Sequence, residues 1–573
     1  MYVRAARVCA RRAIRGKNVY QTPPPPSPPS NPSLLAMPAS MSSQAYLSAL
    51  NELSHDPQWS SLLLTSGSQH VPAKHLPFQG RSGGGGKPLA CDYTLSTFLG
   101  ILDSMKAPQR ERPESISYHP EFDLHVVASR FVDGKRENYT HEAMTPFVET
   151  EKCRELLNAG YTLQVHQPQQ QYPPLAKLIA RLENELGGLV GCNAYITPEK
   201  TQGLAPHWDD VDVLVVQTEG QKKWSVSSTP PPTPHAPPCE PSGDLHSTGK
   251  ALFSCTMAPG DALYLPRGTV HSAVAVATTT TAPASKKQKR ASKDDTCGVS
   301  CHLTFSFRHR QSYGDLISAV VNAATHADPG SVAAATGAAQ LLRSSLPFGI
   351  GHLQAKEGQS EPNGLQGMLA GVLRKLADEV DAGGVLLSNA LDDSAKDFFG
   401  SRLPPPDDDD TEGRKGSITP SSRIVAVNPG YHRVVRALVN QKSGWWDPEA
   451  DEGNWVTLLT STFNRLDRHM MNSAPEEEEE EEEKEEVDFH EYGEDYDEEE
   501  DGYNPDGGYN CMEHEEFSHP KQIEFESSCT DGLLRLFHGD GAGVVVSSLS
   551  SNAYHAQSCA NKLYVYGLVR ILQ

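Results

Sequence analysis

The 573-residue chain has no CxxC pair, no run of 18 apolar residues and no acidic residue before Glu52. Its 11 scattered cysteines outline no disulfide framework and read as the reduced thiols of an intracellular chain. Cys511, His514 and His519 cluster beside an acidic run, but no second Cys/His pair completes a zinc site there. The lack of a long apolar run excludes a membrane-spanning helix. The acid-free start carries Arg4, Arg7, Arg11, Arg12, Arg15 and Lys17, a pattern resembling an organelle transit peptide. KKQKR at 286–290 points elsewhere, to a nuclear import signal or a plain basic loop. Apolar residues are scarce at 37%, mean hydropathy is −0.49, and there are 43 prolines and 46 glycines. That balance predicts compact domains separated by long polar insertions. The net charge of −23 is mostly local: residues 476–501 hold 19 acids and one lysine, which leaves −5 for the rest. The remainder is nearly neutral, so composition gives no reason to expect a nucleic-acid partner.

Along the chain, residues 1–88 are rich in proline, serine and glycine and too poor in apolar periodicity to bury a core; they read as leader and linker, with structure beginning near Asp92. Leu175, Leu178, Ile179, Leu182 and Leu186 recur at helical spacing and predict a helix over 175–186, ended by Gly187-Gly188. Short β-rich segments follow at 192–197, 212–217, 223–227, 261–265, 269–276 and 299–307, a series that suggests a sandwich or jelly-roll barrel. Two low-complexity stretches, around 229–250 and 278–297, fall between strands, where extra loop length costs little. From Tyr313 to about Gly400 the texture turns helical, with one apolar stripe at Leu316, Ile317, Val320, Val321 and Ala324 and another at Leu369, Val372, Leu373 and Leu376.

The chemistry concentrates in PHWDDVDVLVVQTEGQKKW, residues 206–224. On a strand, His207 and Asp209 share one face because side chains alternate. Sixty-two residues past Asp209, GDALYLPRGTVH places His271 in another strand. Two imidazoles and one carboxylate make a facial triad, which leaves three coordination positions open, as in non-haem Fe(II) oxygenases. An isolated HxD is commonly a surface or turn feature; company at the right spacing argues otherwise here. Lys222 lies 15 residues past His207, where its ammonium can reach a buried carboxylate, although a solvated lysine at a strand start is the plain alternative.

The stretch from GCNAYIT (191–197) through QKKW (221–224) resembles the JmjC ribosomal oxygenases, a group of nuclear and nucleolar protein hydroxylases. The resemblance extends to TLQVHQPQQ (162–170), PGDALYLPRGTVHSA (259–273), HLTFSF (302–307), RQSYGDL (310–316) and AKDFFGSRLPP (395–405), and so covers most of 160–405. It implies a mixed α+β chain. Residues 89–309 would form a double-stranded β-helix (jelly-roll, cupin or JmjC) barrel, with insertions at 229–250 and 278–297. A helical dimerisation region would follow at 310–402, and a winged-helix-like region at 403–573, split by an acidic insertion at 475–516 and by the tryptophan-bearing 441–466 segment. The resemblance also implies that His207, Asp209 and His271 ligate Fe(II), and that Lys222 binds the 5-carboxylate of 2-oxoglutarate. Asn193 and Tyr195 would line the co-substrate pocket, and Ser306 would place a hydroxyl near the same carboxylate. The expected reaction consumes 2-oxoglutarate and O₂ and hydroxylates a protein side chain. The substrate would be a basic protein: a histidine of a ribosomal protein or, by N-methyl hydroxylation, a lysine of a histone tail. A non-catalytic cupin-like scaffold is the reading from outside the enzyme class. A homodimer in the nucleus or nucleolus is expected, with an organelle as the alternative from the N-terminus, and the acidic run reads as a solvated loop able to attract cationic proteins.

Overall fold

The structure, a computed structural model, describes residues 48–65, 71–78, 92–105, 126–139, 150–228, 250–277, 298–309, 311–327, 332–345, 365–406, 417–436, 455–464, 466, 469–470 and 521–572. Helices α1 (Ser48–Ser54) and α2 (Pro57–Thr65), strand β1 (Lys74–Leu76) and helix α3 (Leu95–Met105) come first. Strands β2 (Val126–Val132) and β3 (Lys135–Asn138), helix α4 (Thr150–Asn158), strand β4 (Thr162–His166) and helix α5 (Pro173–Leu186) lead into the strands that carry the triad. These are β5 (Gly191–Pro198), β6 (Asp212–Glu219), β7 (Lys222–Ser227), β8 (Ala251–Met257), β9 (Ala262–Leu265), β10 (Val270–Ala275) and β11 (Val299–Phe307). All six strands expected from the sequence are present, and so is the helix over 175–186, which begins on two prolines at its first turn and stops at Gly187 with φ 62°.

The strands form two facing antiparallel sheets, one ordered β1-β9-β6-β11-β5-β4-β2-β3 and the other β10-β7-β8. Strand β6 explains how they pack. Its alternate residues Leu214 and Val216 join the main core under the helices, whereas Val213 and Val215 face the small sheet and meet Trp224, Val226 and Met257. With both faces covered, DVLVV reads as a continuous apolar run and not as an alternation. Gly220 turns the chain from β6 into β7 with φ +62°, and any Cβ there would strike the carbonyl oxygen of Val299.

The N-terminal expectation needs correction. Residues 48–65 are not linker: Ala49 and Leu50 are 0% exposed, Leu53 1% and Trp59 2%, all within the main core. Glu185 of α5 fixes them, accepting bonds from the N–H groups of Ala49 (2.7 Å) and Leu50 (3.0 Å) at the start of α1. Trp59 sets its ring edge-on to Tyr264 at 5.2 Å. The two helices are only 7 and 9 residues long, too short to show periodicity in a proline- and serine-rich surrounding.

Helices α6 (Tyr313–Thr325), α7 (Val332–Ala335), α8 (Gly337–Leu342), α9 (Leu365–Asp381) and α10 (Val385–Ser401) enclose a small, alanine-rich core. Of the two expected stripes, Val320, Ala324 and Leu376 are buried, but Ile317, Leu369 and Leu373 stay more than half exposed. The C-terminal region consists of β12 (Arg423–Ala426), β13 (His432–Arg436), β14 (Trp455–Thr460), β15 (Lys521–Glu526), α11 (Thr530–His538), β16 (Val544–Val545), α12 (Ala553–Val565) and β17 (Val569–Leu572). Its pieces share one core, and β12 pairs with the last strand, β17. The 441–466 segment does not split this region but supplies β14, the middle strand of sheet β13-β14-β15. Strands β14 and β15, which lie on either side of the acidic run in sequence, pair with each other, Thr460 opposite Lys521. The acidic run itself, Cys511, His514 and His519, the arginine-rich start, and KKQKR lie outside the described residues.

Candidate metal centre

Residues 201–211 cross the barrel mouth between β5 and β6, and they are not a strand as the sequence suggested. A single two-way main-chain bridge stands in for it: the His207 N–H donates to the His271 carbonyl at 3.1 Å, and the His271 N–H returns a bond to the His207 carbonyl at 2.8 Å. Asp209 is pinned through its own carbonyl, which accepts from the Gly268 N–H at 3.0 Å.

This arrangement brings the three side chains together, with one ligand atom of each within 4.8 Å of the others. Asp209 reaches His207 Nε2 with one carboxylate oxygen (3.9 Å) and His271 Nε2 with the other (3.6 Å). Both rings are oriented from behind. The Nδ1–H of His207 donates to the Ala205 carbonyl at 2.8 Å, and that of His271 to the Thr269 carbonyl at 3.0 Å. A carbonyl only accepts, so each proton sits on Nδ1 and each Nε2 turns a lone pair toward Asp209. Burial, and then the nearby His271, holds the His207 imidazole down at about 4, so it is neutral and free to ligate near pH 7. Two imidazoles and one carboxylate converging on one point fit ferrous iron.

Behind the triad lies a cavity of about 260 Å³ lined by residues of β5, β6, β7, β10 and β11. Lys222 is 5% exposed, and its Nζ donates to Thr197 Oγ1 at 3.0 Å. Desolvation brings the Lys222 ammonium down to about 7. Among the described residues lining the cavity, Asp209 is the only carboxylate, and its oxygens face the histidines. Asn193 and Tyr195 line the cavity, and the Tyr195 hydroxyl accepts from Gln164 Nε2 at 3.1 Å. Burial, and then the charge of Asp209, raises the Tyr195 phenol above its usual range, so it stays protonated. Ser306 also lines the cavity, but at the other end from Lys222. The hydroxyl beside Lys222 is that of Thr197, which pairs with Ser300, six residues or roughly 20 Å along β11 from Ser306. Ser306 Oγ instead meets His309 Nε2 at 2.9 Å.

The sequence reading passed over His302, Thr304, Thr197 and Trp224. The signal was present: with Ser306 inside the barrel, alternation along HLTFSF puts His302 and Thr304 on the same face. Beyond the mouth, a cleft of about 1300 Å³ runs between the barrel, α10 and the C-terminal region, and Val211 and His309 line both spaces.

Comparison with known proteins adds the following. The JmjC domain family matches residues 164–293. Ribosomal oxygenase 2 of Bos taurus is 30% identical over 353 residues, which are 61% of this chain and 67% of that protein. A Drosophila willistoni protein named bifunctional lysine-specific demethylase and histidyl-hydroxylase NO66 is 27% identical over 295 residues, 51% of this chain and 34% of its own length. Across the ribosomal oxygenase 2 relatives of cattle, mouse and rat, the chain spans between 52% and 67% of the relative's length. Among solved structures, Escherichia coli YcfD in complex with cobalt and 2-oxoglutarate aligns with 66% of this chain and 82% of its own, at 14% identity and a TM-score of 0.33.

Proposed function

Because the chain belongs to the JmjC ribosomal oxygenase family, we propose that it hydroxylates a protein side chain with Fe(II), 2-oxoglutarate and O₂. The observation that carries this reading is the convergence of His207, Asp209 and His271 on one point, with the buried ammonium of Lys222 in the same cavity. When bound, the iron couples loss of CO₂ from 2-oxoglutarate to insertion of one oxygen atom into a C–H bond. The chain's own residues do the rest. His207, Asp209 and His271 hold the metal on one side and leave the cavity side for co-substrate. Lys222 neutralises the distal carboxylate, which would be costly to bury unpaired. Asn193 and Tyr195 wall the cavity between.

The substrate is a protein, in keeping with the wide cleft that meets the metal cavity at Val211 and His309. Among the described residues, the cleft wall carries both acids, Asp210, Asp397 and Asp540, and bases, Arg267, Arg402 and Arg433, with Arg267 3.7 Å from Asp210. A histidine of a ribosomal protein is the first candidate, in keeping with the mammalian relatives named ribosomal oxygenase 2 and with the histidyl-hydroxylase in the name of the Drosophila relative. Lysine demethylation is the second reading, favoured by the name of the Drosophila relative. The same hydroxylation serves both, because an N-hydroxymethyl group breaks its C–N bond, the carbon leaving with its oxygen as formaldehyde and the hydroxyl proton passing to the nitrogen. The non-catalytic scaffold reading loses ground because all four of His207, Asp209, His271 and Lys222 are in place. The chain acts as a homodimer, joined through the exposed Ile317, Leu369 and Leu373, and works in the nucleus.

Asp209→Ala should abolish the visible charge-transfer band that Fe(II) and 2-oxoglutarate give anaerobically, together with turnover. Activity retained in that variant overturns the assignment. Mass spectrometry of ribosomal and histone peptides separates the two substrates, by oxygen gained on histidine or methyl lost from lysine. Ile317→Asp with Leu373→Asp should halve the mass measured by light scattering.

A further inference from the structure

The closed end of the cavity holds a second nitrogen group that the reading above does not use. His302 of β11 is 3% exposed and lines the cavity with Lys222. Its ring lies flat on Tyr195, with centroids 4.9 Å apart and planes 5° from parallel, and Trp224 meets it edge-on at 5.4 Å. Two aromatic walls therefore fix the imidazole plane. Nδ1 is buried and finds no hydrogen-bond partner among the described residues. A proton on Nδ1 would strand an N–H in an apolar wall, whereas a proton on Nε2 leaves only a lone pair there. The neutral ring thus keeps its donor on Nε2, the nitrogen left to face the cavity. Burial, and then the Lys222 charge, disfavours a second proton on the ring. This end of the cavity offers an ammonium and an N–H donor and, among its described lining residues, no carboxylate to receive them.

We propose that His302 is a positioning residue for the co-substrate, donating a hydrogen bond from Nε2 to the distal carboxylate of 2-oxoglutarate beside the Lys222 ammonium. This rests on the reading of the cavity as the 2-oxoglutarate pocket. A carboxylate entering from water gives up about four hydrogen-bonding sites. Lys222 replaces some of them and His302 another, without adding charge. The stack on Tyr195 keeps the donor aimed, so the imidazole loses little freedom when the ligand arrives.

The test is anaerobic titration of the full-length Fe(II) protein, read by the charge-transfer band, with 2-oxoglutarate and with 2-oxobutyrate, which lacks the distal carboxylate. His302→Phe and His302→Leu remove the donor, and Phe also preserves a flat ring against Tyr195. In whichever of these binds iron like the parent, 2-oxoglutarate should bind about tenfold to a hundredfold more weakly, with 2-oxobutyrate unchanged. His302→Gln, which keeps an N–H donor, should recover most of the loss. Unaltered 2-oxoglutarate affinity in both donorless variants overturns the proposal, and so does an equal loss for both ligands, which would mark His302 as packing alone. If the parent protein gives no band with either acid, the co-substrate reading itself fails and takes this inference with it.

Discussion

At the scale of single residues, Lys222 makes the most direct prediction. Its ammonium is pulled from the ordinary lysine value down to about 7 because it is buried without a carboxylate. An anion binds the protonated form, so 2-oxoglutarate affinity should fall about tenfold per unit as pH rises above 7. Stability of the ligand-free fold moves the opposite way. The unfolded chain holds this proton up to pH 10 and the folded chain does not, so the lysine's contribution becomes more favourable between pH 7 and 10. Lys222→Met should bind 2-oxoglutarate weakly and without this slope, as calorimetry across pH would reveal. The convergence of His207, Asp209 and His271, with Lys222 in the same cavity, was legible in the sequence because metal chemistry restricts residue type and spacing. His302 and Thr197 were not, since a histidine or threonine inside a strand is ordinary until its neighbours across the sheet are known. Ser306 was read as a neighbour of Lys222, and only the register of β11 separates them.

At the scale of elements, the strands of the barrel announced themselves through β-branched runs bounded by glycine and proline. Helices α1 and α2 did not, because nothing local distinguishes seven or nine residues that are held by a distant glutamate. Their inward residues Ala49, Leu50, Leu53 and Trp59 are nonetheless buried in the main core. Leu50→Ala should cost roughly 2–5 kcal/mol in chemical denaturation of the full chain, as expected for a fully buried leucine. A chain begun at residue 89, where the sequence implied that structure starts, would uncover the main core beside Glu185 and Tyr264. A soluble, undiminished protein from that truncation would contradict the packing. The 441–466 segment teaches a similar lesson: β14 became recognisable only through partners on either side, one of them beyond the acidic run.

At the scale of the whole molecule, barrel and C-terminal region are joined by a buried polar knot. Glu183 of α5, fully buried, meets His469 Nε2 at 2.8 Å and accepts from the Leu403 N–H at 2.9 Å, while Gln169 Nε2 approaches His469 Nδ1 at 2.8 Å. Arg402 lies close by with its guanidinium 4.0 Å over the Tyr431 ring. Removing one member of such a pair strands the other in a dry interior. Glu183→Ala should therefore destabilise the chain by about 3–5 kcal/mol, with faster amide exchange at 521–572 while the barrel strands stay protected. The reciprocal bridge between His207 and His271 has a different consequence. Because two main-chain hydrogen bonds hold the backbones of His207 and His271 together, the spacing of the two imidazoles follows from the register of the chain as much as from the side chains themselves, and an insertion that shifted this register would scatter the pair while leaving both histidines in the sequence.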